Sequence, residues 1–283
     1  MGAGGGCMAR SREEQRAGEK AGAMRWKGTS RRMVCHQRLR PCQGCYLIGL
    51  MLQPSPIVIL TGAGISAESG LETFRSADGL WASHRIEDIC TPEALARDPA
   101  LVHRFYDQRR AALATVAPNA AHEALARLEQ AWPEEVLIVT QNVDDLHERA
   151  GSRRVIHMHG ALRSALCAAC GARQPWQGDL PPGALCTACD APVLRPDIVF
   201  FGEIPYQMDR IEAALARAGL FVSIGTSGAV YPAAGFVRMA GALGIPTLEI
   251  NLEPSAGSGW FDDCRHGPAG TLVPAWIDDL LAG

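Results

Sequence analysis

Two cysteine pairs, Cys167-x-x-Cys170 and Cys186-x-x-Cys189, are separated by fifteen residues. Four thiolates at this spacing can close a tetrahedron around zinc, each pair gripping the ion from one tight turn, and Gly171 suits the first of those turns. A site of four thiolates leaves no coordination position open for chemistry, so it reads as structural zinc holding together a poorly cored segment. A nucleic-acid-binding ribbon is the rival reading, but the only basic residues between Gly160 and Leu194 are Arg163 and Arg173.

A second signal is Gly62-Ala63-Gly64-Ile65-Ser66-Ala67, which matches G-x-G-x-x-G/A directly after a β-branched run. Glycines there let backbone amides approach a pyrophosphate at a helix N-terminus. A packing turn would place the same glycines, so the loop alone leaves both readings open. The stretch after it, Glu68 to Arg75, is too broken for a long crossover helix and is expected to continue as a flexible cover over the nucleotide. Val155 to Gly160 reads as a strand ending at a glycine, with His157 and His159 on one face. His159, nearer the loop, is the better placed for an opening, although a strand-end histidine can also be purely structural. Gln141-Asn142-Val143-Asp144 follows another strand and supplies amides and a carboxylate to the same rim, or else caps the next helix.

A helix is expected over Pro99–Val116, with Leu101, Val102, Phe105, Ala112, Leu113 and Val116 on one apolar face. Tyr106 falls at the edge of that face, Arg109 near its middle, and Arg110 points away. A charge within an apolar stripe is either paired internally or positioned for a partner.

The elements that must position these groups alternate. Strands are expected at Pro56–Thr61, Glu135–Thr140, Leu220–Ile224 and Pro246–Asn251, with helices between them such as Ala120–Gln130 and Met208–Ala218. This pattern predicts an α/β, Rossmann-like parallel sheet covered on both faces. Ligands of such sheets bind beyond the carboxyl ends of the strands, so Thr61-Gly62, Thr140-Gln141-Asn142, Gly225-Thr226-Ser227 and Asn251 should converge. Residues 84–117, helical, and 161–195, loop-rich with the cysteines, read as insertions forming a smaller module. The Rossmann-like part is then 51–83, 118–160 and 196–283.

Hydrophobic residues make up 47% of the 283-residue chain and charged ones 20%, as in an ordinary globular protein. No apolar run reaches the roughly 18 residues a membrane helix needs, so no membrane is expected. Residues 1–50 carry ten Lys/Arg against three Asp/Glu, whereas the remainder carries 17 against 27. That Gly- and Arg-rich segment reads as a disordered basic extension or as a translation start placed too early. The ten cysteines fall as four in the extension, four in the pairs, and Cys90 and Cys264 alone. That is no secreted disulfide framework, and it points to a reducing, cytoplasmic compartment.

Taken in order, Gly62-Ala63-Gly64-Ile65-Ser66, Thr73-Phe74-Arg75, Gln141-Asn142-Val143-Asp144, His157-Met158-His159-Gly160, the cysteine pairs, Phe201-Gly202-Glu203, Gly225-Thr226-Ser227 and Asn251-Leu252-Glu253 resemble the sirtuins, over about residues 55–283. The match is nearest to class III, the bacterial CobB type. The resemblance implies NAD-dependent removal of acyl groups from protein lysines, releasing nicotinamide and O-acyl-ADP-ribose. It implies His159 as general base and Asn142 as the residue ordering ribose and water, with Val143 and Asp144 on the nicotinamide carboxamide. Gln141, Glu68 and the glycine loop join the cofactor site, with Phe74, Arg75 and Trp81 as its cover. Gly225, Thr226, Ser227, Asn251, Leu252, Glu253 and Ala269 receive the phosphate–adenosine end. Val199, Phe200, Phe201, Gly202 and Glu203 would pair with an acyl-lysine protein as an added strand, and no stable nucleic-acid partner is implied.

Tyr106-x-x-Arg109 resembles the class III pair that clamps a carboxylate on the acyl chain, which adds desuccinylase and demalonylase activity to deacetylation. Cys90 departs from that pattern, standing beside Thr91-Pro92 where such relatives have alanine, and is expected to trim the acyl length accepted. Mono-ADP-ribosyl transfer to protein is the alternative within the same cofactor chemistry. A zinc-ribbon module binding acyl-lysine or nucleic acid is the alternative without catalysis.

Overall fold

The computed structural model describes residues 54–71 and 85–282. Its strands are β1 (Ile57–Thr61), β2 (Val136–Thr140), β3 (Val155–His157), β4 (Gly160–Cys167), β5 (Arg173–Pro175), β6 (Leu194–Ile198), β7 (Leu220–Ile224), β8 (Thr247–Asn251) and β9 (Asp263–His266). Its helices are α1 (Ala63–Ala67), α2 (Ile86–Ile89), α3 (Pro92–Arg97), α4 (Pro99–Ala112), α5 (Ala120–Ala131), α6 (Leu146–Arg149), α7 (Met208–Leu215), α8 (Phe236–Ala242) and α9 (Ala269–Ala282).

Six strands form one parallel sheet in the order β3-β2-β1-β7-β8-β9. The β-branched runs make it, because both faces of each central strand must be apolar. Ile57, Ile59, Val136, Ile138, Val222 and Leu248 pack to one side with α5 and α9. Val58, Leu60, Leu137, Val139 and Phe221 pack to the other with α7 and α8. The chain leaves β1 toward β2 and β3, then returns to β7 on the opposite side of β1. The switch point of the sheet therefore lies between β1 and β7, where such folds open a crevice.

The cysteine-bearing segment is more ordered than its composition suggests. β4, β6 and the short β5 form an antiparallel sheet in the order β5-β4-β6, while the chain between these strands is loop and turn, as expected. A helical layer, α2 to α4, packs beside it through Ile89, Val102, Phe105, Leu162, Ile198 and Phe200. Helix α4 ends at Ala112, and a single 3₁₀ turn carries the chain to Thr115. Helix α7 is likewise three residues shorter than its sequence pattern, ending at Leu215. No helix of the described residues is long and apolar enough to cross a membrane.

Helix α5 begins with a capping box in which Asn119 and His122 satisfy each other's orphan backbone amides. Burial pushes the His122 pKa from 6.5 down to about 4. The folded protein therefore keeps His122 neutral where an unfolded chain would protonate it. The stability this contributes is complete above about pH 6.5 and is lost as pH falls toward 4, an interval worth about 3 kcal/mol. The neighbouring buried His147 is lowered by burial too and acts in the same direction. Melting temperatures measured from pH 6.5 to 4 are expected to fall steeply, and less steeply in His122→Gln, which can still complete the cap.

Candidate functional site

The two glycine turns at the switch point interlock. Gly64 N–H donates to the Gly225 carbonyl at 2.8 Å, and a Cβ on Gly64 would lie 2.7 Å from Gly225 Cα. Gly225 has φ +63, and a Cβ there would meet Ile65 N at 2.4 Å. Side chains at either position would push the turns apart, so the glycines keep the backbone of both loops accessible at the carboxyl edge. α1 is a one-turn helix directly after Gly62.

The four strand ends converge on this edge. Gln141 N–H donates to Thr61 O at 2.9 Å and Gly62 N–H to Ile224 O at 3.0 Å. Asn142 Nδ2 donates to Gly62 O, and Asn251 Nδ2 to Thr226 O at 2.8 Å. Ala269 opens α9 beside them, and the Gly270 amide donates to Glu68 Oε1 at 2.9 Å. Thr226 is buried and shares a hydrogen bond with Ser223, the Ser227 hydroxyl accepts from Ala229 N–H, and Leu252 and Glu253 are exposed at the rim. Phe74, Arg75 and Trp81 lie outside the described residues, and of the cover expected over Glu68 to Arg75 only the turn at 68–70 and Leu71 are described.

Ser66 is a hub that sequence reading treated only as part of the loop. Its hydroxyl donates to Asp144 Oδ2 at 3.1 Å, accepts from Asn142 Nδ2 at 3.1 Å, and lies 3.4 Å from His122 Nε2. Asp144 also accepts from Leu146 N–H. Burial raises the Asp144 pKa, while its hydrogen bonds to Leu146 and Ser66 and the Arg109 charge oppose the shift.

Strand β3 ends at His157, earlier than expected, and His159 sits in the turn into β4. The two histidines are unlike. His157 meets Glu148 at 2.6 Å through Nε2 and Asn142 O at 3.1 Å through Nδ1, so both nitrogens act as donors. Burial lowers its pKa, but the Glu148 hydrogen bond and charge outweigh that and raise it. His159 has Nδ1 at 3.2 Å from Gln141 O, an acceptor, so Nδ1 holds the proton and Nε2 is left with a lone pair. Burial lowers the His159 pKa, which favours that neutral form.

On α4 the structure refines the sequence reading of the arginines. Arg110 points away from the apolar face but not into solvent: it is buried, pairs with Asp107, and donates to Leu162 O and Gly178 O. His103 meets Leu180 O at 2.6 Å, and Asp107 accepts from Leu180 N–H. Positions 103, 107 and 110 thus form a polar stripe that seats a loop of the cysteine module. The i, i+3 pairing of Asp107 with Arg110 was the available signal. Arg109 is half-buried, with its guanidinium 6.0 Å from the Phe105 ring, and its charge reaches Asp144, Tyr106 and Cys90. Tyr106 lies inside the apolar cluster and not at its edge. Its hydroxyl shares a 3.2 Å hydrogen bond with Cys90 Sγ.

Among the described residues, Val199 N–H donates to His159 O, Phe201 N–H to Cys90 O, Glu203 N–H to Phe200 O, and Phe200 N–H to Glu203 Oε2. Glu203 also pairs with Arg195 at 2.8 Å. The segment is thereby fixed against both the histidine turn and the Cys90 turn, while Phe201 and Gly202 stay exposed.

The four cysteines come together on two matching knuckles. In each, the residue after the second cysteine, Gly171 or Asp190, is left-handed and its N–H donates to the carbonyl of the first cysteine at 2.9 Å. Sγ separations are 3.7 Å for Cys167–Cys189 and 3.8 Å for Cys170–Cys186. A tetrahedron with zinc–sulfur bonds of about 2.3 Å has edges of about 3.8 Å, so the donor set fits zinc.

The sequence profile of the Sir2 family matches residues 62–232. The chain is 56% identical over 230 residues to an "NAD-dependent protein deacylase" of Caulobacter vibrioides, covering 80% of this chain and 97% of the relative. It is 52% identical to one of Salmonella typhimurium, covering 82% and 86%. Among solved structures, a Sir2 homologue–NAD complex superposes with a TM-score of 0.75 at 38% identity, covering 83% of this chain and 94% of that one.

Proposed function

The chain belongs to the Sir2 family, and from that membership we propose that it is an NAD-dependent deacylase of lysine side chains on proteins. The placement of His159 carries the reading: a neutral imidazole with a free Nε2, at the rim where the strand ends converge. Bound NAD supplies a ribose carbon from which nicotinamide departs as the acyl carbonyl oxygen attacks. His159 takes a proton from a ribose hydroxyl, and its low pKa keeps it competent at neutral pH. Asn142, held on Gly62 O and Ser66, orders ribose and water. Asp144 accepts from the nicotinamide carboxamide beside Val143. Gln141, Glu68 and the turns at Gly62–Ser66 and Gly225–Ser227 line the rest of the cofactor site, with Asn251–Glu253 and Ala269 at its adenosine end. Phe74, Arg75 and Trp81 complete its cover. Cofactor binding then belongs to 51–83, 118–160 and 196–283, and the smaller module is 84–117 with 161–195. Cys167, Cys170, Cys186 and Cys189 hold one structural zinc as thiolates, which suits a reducing compartment such as the cytoplasm.

The protein substrate lies against Val199–Glu203 as an added strand, recognised through backbone groups more than sequence. Arg109 and Tyr106 receive a carboxylate on the acyl chain. The Tyr106 hydroxyl then exchanges Cys90 for that carboxylate, so Cys90 sets both the length of the acyl pocket and the resting partner of the clamp. Losing a charge-assisted hydrogen bond costs about 1.5–3 kcal/mol, so Arg109→Met is expected to lower desuccinylation roughly tenfold to a hundredfold and spare deacetylation. Mass spectrometry of acetyl- and succinyl-lysine peptides, with and without NAD, reads both activities. NAD-independent loss of the acyl group, or ADP-ribose gained by the peptide, would refute the deacylase; equal loss on both peptides would refute only the clamp.

A further inference from the structure

A second group of metal-ligating side chains gathers at the β8–β9 edge of the large sheet. Glu249 on β8 stands opposite Cys264 on β9, and His266 lies two residues further along β9. Strand alternation puts all three side chains on one face. A carboxylate oxygen, a thiol sulfur and an imidazole nitrogen there all lie within 4.8 Å of one another. Glu249 is 1% exposed and forms the floor, Cys264 is half-buried, and His266 stands at the open rim.

The carboxylate at the floor is only modestly compensated. The Ser255 and Ser258 hydroxyls donate to its two oxygens, and His266 Nε2, cationic only when protonated, lies 3.4 Å from Oε2. A buried carboxylate held by neutral hydroxyls retains a strong field toward a cation. The nearest soft donor is Cys264, whose S–H now donates to Ser258 O at 3.5 Å.

We propose that Glu249, Cys264 and His266 form a second metal site, for a divalent cation of the zinc class, separate from the four-thiolate centre. One thiolate, one imidazole and one carboxylate make a three-ligand set for which zinc is well suited, leaving a fourth position to solvent. The thiol argues against magnesium or calcium, which take oxygen donors. On binding, Cys264 exchanges its proton for the cation and releases it to solvent, and His266 turns its lone pair from the carboxylate to the ion. The open rim at His266 gives the ion its way in. The site lies directly beneath Asn251, which stands opposite His266 in the strand register and whose carbonyl accepts from Gly267 N–H.

The test uses the full chain with its four-thiolate zinc in place. The protein is equilibrated with micromolar zinc chloride, passed through a desalting column, and its metal content read by mass spectrometry against protein concentration. Two zinc ions per chain are expected in the wild type and one in Cys264→Ser and in His266→Ala. Competition with a zinc-binding dye should show the second site weakened at least about tenfold in each variant. His266→Ala changes only an exposed side chain, so it tests the donor set even should Cys264→Ser fail to fold. One zinc in the wild type, or uptake of a further ion undiminished in both variants, overturns the proposal.

Discussion

Replacing His159 with alanine is expected to lower the deacylation rate by roughly 10²–10⁴-fold while NAD binding changes little, the range typical of a lost general base. The turn that carries His159 does not depend on its side chain. The backbone carbonyl of His159 accepts from Val199 N–H, and Gly160 fits against Asp197 with no room for a Cβ. The variant should therefore fold and bind cofactor, as isothermal titration with NAD would show. The pH profile provides a second reading of the same claim. A base works only when neutral, and burial holds the His159 pKa below 6.5. The acid limb of kcat/KM is thus expected below pH 6.5, and activity persists to lower pH than an exposed histidine would allow. A limb above 6.5 would implicate a group such as His157, whose pKa is raised. A His159→Ala enzyme within a few-fold of wild type would remove the histidine from the mechanism.

Much of this site was legible because the signals that made it are local. Ile57–Thr61 and Val136–Thr140 are β-branched runs that only a doubly covered parallel strand can bury, and the polar residues just past their ends had to meet at one edge. The Gly62 and Gly64 pattern likewise reflects a steric demand, now visible as the contact with Gly225. What stayed hidden depends on partners far along the chain. β9 reads Asp-Cys-Arg-His, with no apolar alternation, because an edge strand at a solvated rim has little to bury. The antiparallel sheet of the cysteine module was concealed for a related reason: β5 is three largely exposed residues, and β4 and β6 read Gly-Ala-Leu-Arg-Ser-Ala-Leu-Cys and Leu-Arg-Pro-Asp-Ile, with few β-branched residues and no regular alternation.

The buried polar residues were the hardest to foresee. The apolar positions of α4 mark the face toward Phe200 and Ile198 but not the second face, where His103, Asp107 and Arg110 bind loop carbonyls and amides. A helix packed on two sides breaks the assumption that charge marks solvent. Ser66 is similar. Its residue type fits a glycine loop, yet its hydroxyl links Asn142, Asp144 and His122 from three other elements. Such a hub becomes visible only when the sheet has brought the strand ends together.

The other large effect is expected at the cysteine knuckles. Cys186→Ser should cost the chain the zinc of this centre and, with it, the antiparallel sheet. The buried residues of the apolar cluster beneath that sheet are Ala165, Cys167, Leu180, Cys186 and Leu194, two of them themselves ligands, with only Ala172, Trp176 and Ala184 packed against them. A core of that size cannot offset the ordering of some thirty residues, whereas structural zinc contributes about 10–16 kcal/mol in small thiolate-bound domains. The damage should spread. β6 runs directly into Val199–Phe200, and β4 begins where the His159 turn ends, so the proposed substrate segment and the proposed base both rest on strands that the knuckles hold. The large sheet has its own two-sided core and is expected to survive as a folded remnant. Limited proteolysis should then cut Cys186→Ser within residues 161–195 while β1, β2 and β7 stay protected, and metal analysis should find one zinc fewer per chain. Cys189→His, which can still offer a ligand at the same corner, should keep both the metal and the protease resistance. If Cys186→Ser loses its zinc yet resists proteolysis like the wild type, the module is held by packing, and the metal is incidental to it.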